Sequence, residues 1–294
     1  MVVNRTCVFP TKGTPKQLSV TKFKEDWVER VSSFMSSLNL SRFWERGKSI
    51  KAEPAIDNRR RLIKTAVRYG LWLVLAATAN ANRRHFGLTT TWLPHLLGNS
   101  VALFLPEIYR LIDNGLKLNE RLPADRYPTM AAIRLCLDDV VGDNPDYVDY
   151  VAPAALAYIV SHPHFNIYRG SWGEKNILGF GFDSIPHSTT AYALSNLAYD
   201  SIEAADSHTP ANTVIYPSVK FVARHKIVAV GAILAGLTLF YETSEFLIHK
   251  AELKARDNDI SRINMMWSFK DTVYDILSNT MGWAAATYFS RRRR

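Results

Sequence analysis

The chain predicts an all-α fold: a multi-pass transmembrane helical bundle preceded by an amino-terminal amphipathic helix. Three observations carry this expectation. Apolar segments near span length recur from residue 62 onward, no strand-like alternation of any length interrupts them, and ionisable residues recur inside them at helical spacing. The expected organisation is a basic arm over residues 1–61, containing an amphipathic helix at 21–38, and a membrane bundle of about five spans over residues 62–294.

The charge is uneven. Residues 1–61 hold 13 Lys or Arg against 6 Asp or Glu, a net of +7 out of +9 for the 294-residue chain. A basic tail abutting a span reads as a positive-inside signal in contact with the lipid bilayer, which places the arm in the cytoplasm. The arm has neither a Gly-aromatic recognition pattern nor a zinc-finger spacing, so no nucleic-acid partner is expected. Two cysteines, Cys7 and Cys136, provide no disulfide framework and read as free thiols in a reducing compartment. The first twenty residues carry basic residues and prolines without a long apolar run, so an internal span is expected to direct insertion.

Within the arm, Phe23, Trp27, Val28, Val31, Phe34, Met35 and Leu38 fall on one helical face and charged residues on the other. Trp27, Val31, Phe34 and Leu38 are expected to bury against lipid headgroups or a protein partner. Leu62 to Asn82 is the first candidate span, with Lys64 and Arg68 near its start. Leu88 to Ile112 is a second, expected to be interrupted by Pro94, Gly98 and Pro106, because an internal proline removes a helix hydrogen bond. Met130, Ile133, Leu137, Val140 and Val141 predict a short amphipathic helix with Arg134, Asp138 and Asp139 exposed.

Val148 to Val160 is apolar but short of the roughly 20 residues needed to cross a bilayer. It is therefore a re-entrant piece, part of a longer helix, or a buried core helix. Asp183 to Ala205 reads as a helix. Ile227 to Ile248 and Met265 to Phe289 are expected to be antiparallel neighbours, joined by a solvated polar loop over Lys250 to Ile263. Arginines before Leu62 and at the carboxyl end place both ends in the cytoplasm, whereas Arg83 and Arg84 argue for the opposite side.

Three polar motifs share one geometry. Asp183 and His187, Glu245 and His249, and Asp271 and Asp275 are each separated by four residues, with Glu242 one turn before Glu245 and Asn279 continuing the last stripe. Residues at i and i+4 project from one helix face, so each motif presents two polar heads to one neighbour. The candidate polar site is Asp183, His187, Glu242, Glu245, Asp271 and Asp275. A metal set of His187, Glu245, His249 and Asp275 would suit a divalent cation, and close carboxylates would equally suit proton transfer. The plainer readings are that Asp183 caps a helix, Glu245 and His249 stand at a water interface, and Lys270 pairs with Asp271 or Glu242 to hold helices together.

The stretches Phe182–His187, Phe240–Glu245 and Lys270–Asp275, with Asn279 and Gly282, resemble the YjdF-type bacterial inner-membrane proteins and, more distantly, the VanZ-like proteins. The likeness spans roughly residues 180–285. It implies a multi-pass bundle in the bacterial inner membrane and marks the same polar residues, without implying a reaction; no catalytic residue is assigned. His187 departs from the pattern in being followed by Ser-Thr-Thr instead of a bulky apolar residue and glycine.

Two functional expectations follow. One is a membrane-embedded Asp/Glu/His site that binds a cation, relays a proton or acts on an amphiphilic substrate. The other is a non-catalytic structural or assembly subunit of a membrane complex.

Overall fold

The computed structural model describes residues 55–177 and 180–292, and these are mostly helical, so the fold is all-α. The expected amphipathic helix at 21–38 lies outside the described residues. Helix α1 spans Ala55–Phe86 and stops at Gly87, whose φ of +67° takes the left-handed turn that a Cβ disfavours, after the basic run Arg83, Arg84 and His85. Helix α2, Thr89–Leu116, is continuous through Pro94, Gly98 and Pro106, so the expected interruption does not occur. Pro106 cannot donate to the carbonyl of Ala102, and the Tyr147 hydroxyl donates to that oxygen instead, at 2.8 Å. One residue on, Arg68 Nη1 donates to the Leu103 carbonyl at 2.8 Å.

After the short turn α3 (Leu118–Arg121), helix α4 (Pro128–Leu137) runs into a π-turn, Asp138–Gly142, closed by Asp143 N donating to Asp138 O at 2.7 Å. That wider winding changes which side chains face inward. Ala131, Ala132, Val140 and Val141 are buried, whereas Met130, Ile133 and Leu137, expected on the inner face, are exposed. Arg134 and Asp138, expected in solvent, are half-buried. Asp138 accepts from the Tyr109 hydroxyl at 2.8 Å and pairs with Arg134 at 3.4 Å.

Helix α5, Tyr147–Ile159, resolves the short apolar stretch as a buried core helix. Its Tyr147, Val151, Ala155, Tyr158 and Ile159 pack with Leu75 and Ala79 of α1, Leu103 of α2 and the π-turn valines. A turn α6 (Gly170–Gly173) and a two-residue antiparallel pairing of β1 (Asn176–Ile177) with β2 (Phe180–Gly181) lead into α7, Ser184–His208. Helix α8 (Tyr216–Arg224), α9 (Lys226–Ala255), a 3₁₀ turn at Ile260–Arg262 and α10 (Phe269–Arg292) complete the described chain.

Side-chain pairings set the directions of the last three long helices. Glu242 meets Thr272, Thr238 meets Asn279 and Gly231 meets Trp283, so α9 and α10 are antiparallel neighbours. His187 meets Asp275 and Tyr199 meets Thr287, so α7 and α10 run parallel. Their contact is the most extensive between any two described helices and is tight at Gly282, where a Cβ would collide with the Ser188 carbonyl oxygen.

Among the described residues two helices, α1 over Arg59–Phe86 and α9 over Lys226–Ala255, are long and apolar enough to cross a membrane. Their apolar windows are mostly unburied by protein. On α9, Val228, Leu239, Phe240 and Leu247 are 59–73% exposed.

Candidate buried carboxylate site

The candidate residues reach one region because three helices present polar stripes to each other. Asp183 stands at the N-cap of α7 and accepts from the Ser184 amide at 2.9 Å, so it serves as the cap. Gly181 makes this possible, since a Cβ there would occupy the space of the Asp183 carboxylate. One turn into α7, the His187 ring lies edge-on to Tyr241, and its Nε2 is 3.2 Å from Asp275 Oδ1 on α10. This is an ion-pair distance without hydrogen-bond alignment, so Asp275 Oδ1 has no hydrogen-bond partner among the described residues.

Glu242 of α9 accepts from Thr272 Oγ1 through Oε2 at 2.7 Å, while its buried Oε1 has no hydrogen-bond partner. Glu242, Glu245 and Asp275 each offer an oxygen, and these atoms lie within 4.8 Å of one another. Glu242 and Asp275 are 7% and 3% exposed, and Glu245 is half-buried. One turn along α10, Asn279 Nδ2 donates to Thr238 Oγ1 at 3.1 Å, which closes the polar seam between α9 and α10.

A cavity of about 410 Å³ adjoins the cluster. Asp183, His187, Glu245, Asp271 and Asp275 line one part, and Leu237, Phe240 and Met266 bring apolar surface to it. The structure thus gathers five of the six candidates around one cavity, with Glu242 behind Glu245 and Asp275. His249 stands apart: its Nδ1 faces the Met265 carbonyl at 3.0 Å, so it contributes to loop anchoring and not to the cluster. Lys270 does not pair with Asp271 or Glu242; its ammonium lies 5.9 Å from the Tyr274 ring centre.

Electrostatics distinguishes this cluster from the structural pairs elsewhere. Arg68 makes a bidentate pair with Glu107, charge against charge. At the cluster no lysine or arginine ion pair neutralises Glu242, Glu245 or Asp275 among the described residues. Two ionised carboxylates 4.8 Å apart repel by about 3 kcal/mol at an effective dielectric constant of about 20. Such repulsion is relieved either by protons kept on the cluster or by a cation brought to it. Oxygens bound to one calcium-sized ion at roughly 2.3–2.6 Å are at most ~5 Å apart, a spread this cluster already meets.

Several participants escaped sequence reasoning. Thr272 and Tyr241 sit inside the polar motifs, and hydroxyls on the same stripe as the carboxylates were the available signal. Glu252 is the larger omission. It was expected in a solvated loop, but α9 continues to Ala255 and the side chain is 0% exposed. Its carboxylate accepts from Thr90, Thr91 and the amides of Asn264 (2.7 Å) and Met265 (2.9 Å), fastening the loop whose Asn264, Met265 and Met266 wall the cavity.

The chain matches no family model, no curated protein and no solved structure.

Proposed function

We propose that the chain is a multi-pass integral membrane protein that binds a divalent cation between α7, α9 and α10. Glu242, Glu245 and Asp275 are the ligands, and His187 stands beside them. The single observation that carries this reading is the buried three-carboxylate cluster, which keeps unpartnered oxygens on Glu242 and Asp275 and has no lysine or arginine ion pair among the described residues. Carboxylate oxygens suit a hard cation such as calcium, magnesium or manganese. The adjoining cavity, lined by both polar and apolar side chains, suits the head of an amphiphile brought next to the ion. The unburied apolar surfaces of α1 and α9 support membrane insertion, and the likeness to YjdF-type inner-membrane proteins falls on the same residues of α7, α9 and α10.

The test is metal analysis of the full chain purified in detergent, stripped with chelator and re-equilibrated with calcium, magnesium or manganese. One ion per chain is expected, with loss in Asp275→Asn. An unoccupied wild-type protein, or equal occupancy in the variant, would favour the structural-subunit reading, in which the seam only locks helices together.

A further inference from the structure

A second cavity, of about 150 Å³, lies between the first turns of α1, the second half of α2, the π-turn and the start of α5. Its charge is opposite in sign to the carboxylate cluster. Arg61, Lys64, Arg68 and Arg110 line it, against the single carboxylate of Asp143. The acids that neutralise part of this charge stand off the wall. Glu107 grips Arg68, and Asp149 takes Lys64 Nζ at 2.6 Å, yet neither lines the cavity.

Just off the wall Asp146 holds Arg60 at 2.6 Å, and two further pairings among the described residues are long. Arg110 reaches Asp143 at 3.8 Å, with side chains 38% and 66% exposed, and Lys64 reaches Asp146 at 3.7 Å. Such pairs contribute little stability and exchange readily for a better anion. The closer hydrogen bond of Arg110 goes to the Gly142 carbonyl, a neutral acceptor that leaves the guanidinium charge facing the cavity.

We propose that this cavity binds a phosphoryl group. Guanidinium forks match phosphate oxygens in geometry and charge, and the volume suits one tetrahedral head instead of a whole nucleotide, since pockets for larger ligands run to roughly 300–1,000 Å³. Arg110 is about 28 Å along α2 from Thr91, which touches Glu252 at the other end of the bundle, so this site is separate from the cation site. Its position beside Arg59, Arg60 and Arg61 near the start of α1 suits the headgroup level of an anionic leaflet. Only that lipid source depends on the proposed membrane placement; a free phosphate would use the same wall.

The experiment is calorimetric titration of the detergent-purified full chain with inorganic phosphate, dihexanoyl phosphatidic acid and dihexanoyl phosphatidylcholine. Phosphatidic acid binding at least tenfold tighter than phosphate identifies a lipid headgroup, and comparable affinities identify free phosphate. In either case Arg110→Gln is expected to weaken binding about tenfold, and Asp143→Asn to tighten it severalfold by removing the one acid from the wall. Because Asp143→Asn is a gain of binding at an exposed side chain, a folding defect cannot imitate it. Asp275→Asn is expected to leave phosphate affinity unchanged, which separates this site from the cation site. The proposal is overturned if neither phosphate compound binds, if phosphatidylcholine binds as tightly as phosphatidic acid, or if Arg110→Gln and Asp143→Asn both bind as wild type.

Discussion

His187 and Asp275 meet at 3.2 Å from two parallel helices, and Asp275 in turn shares its surroundings with Glu242 and Glu245 from a third. One imidazole therefore faces three acids, and this imbalance makes the effect of charge removal a test of what the cluster does.

Asp275→Asn keeps the side chain's shape and removes its ability to offer a cation an ionised oxygen. The expected outcome is at least a tenfold loss of divalent-cation affinity, so that chelator lowers the melting temperature of ion-loaded wild type and leaves that of the variant unchanged. Thermal unfolding in detergent, with and without chelator, reads both. If wild type and variant respond identically to chelator, the cluster holds no ion.

Gly282 sets the distance between α7 and α10. Gly282→Val is expected to destabilise the protein by about 2 kcal/mol or more, since the new side chain meets the Ser188 carbonyl and the Ala191 methyl. Gly236 has no atom within 4 Å of an added Cβ, so Gly236→Ala should be neutral or stabilising by roughly 0.5–1 kcal/mol. Chemical unfolding of the two variants side by side distinguishes a packing requirement from a general sensitivity of helix glycines.

Glu252 is the shared acceptor of the loop around residue 264. Glu252→Ala leaves the buried Asn264 amide and the half-buried Met265 amide unanswered and is expected to cost about 3 kcal/mol, with less loss in Glu252→Gln, which retains one acceptor oxygen. Hydrogen exchange at Asn264 and Met265 should accelerate in step. Unchanged protection of those two amides would show that the loop is held by other contacts, such as Arg169 on the Ile263 carbonyl.

The Tyr147 hydroxyl compensates for Pro106. Tyr147→Phe is expected to cost about 1 kcal/mol. The cost should shrink in a Pro106→Ala background, where residue 106 regains an amide that reaches the Ala102 carbonyl. A double-mutant cycle with no coupling would mean that the helix tolerates the proline by some other route.

Membrane insertion has a direct readout. With Cys7 and Cys136 replaced, single cysteines at Val228 and Leu239 are expected to resist a water-soluble maleimide in intact membranes, whereas one at Val214, 94% exposed in the loop before α8, should label at once. Rapid labelling at all three positions, or release of the chain by carbonate washing, would rule out the membrane placement.

The sequence by itself determined the helical class and the positions of the polar stripes on α7, α9 and α10. Those are local properties: side chains four residues apart must share a helix face, whatever the helix later touches. It did not determine which stripe meets which. Asp275 reaches His187 because Gly282 lets α10 lie against α7, and a glycine's partner is not written in its neighbours. The same limit explains α2, whose prolines would break a helix in isolation, but whose freed carbonyl is satisfied by Tyr147 from a distant helix. It also explains Glu252, whose burial depends on donors more than 150 residues away at Thr90 and Thr91 as well as on the folded-back loop. Met130, Ile133 and Leu137 belong to a regular apolar face by spacing, and the π-turn that follows buries different residues. Periodicity reports the geometry of one helix; the choice of partners is a long-range packing outcome that only the tertiary structure decides.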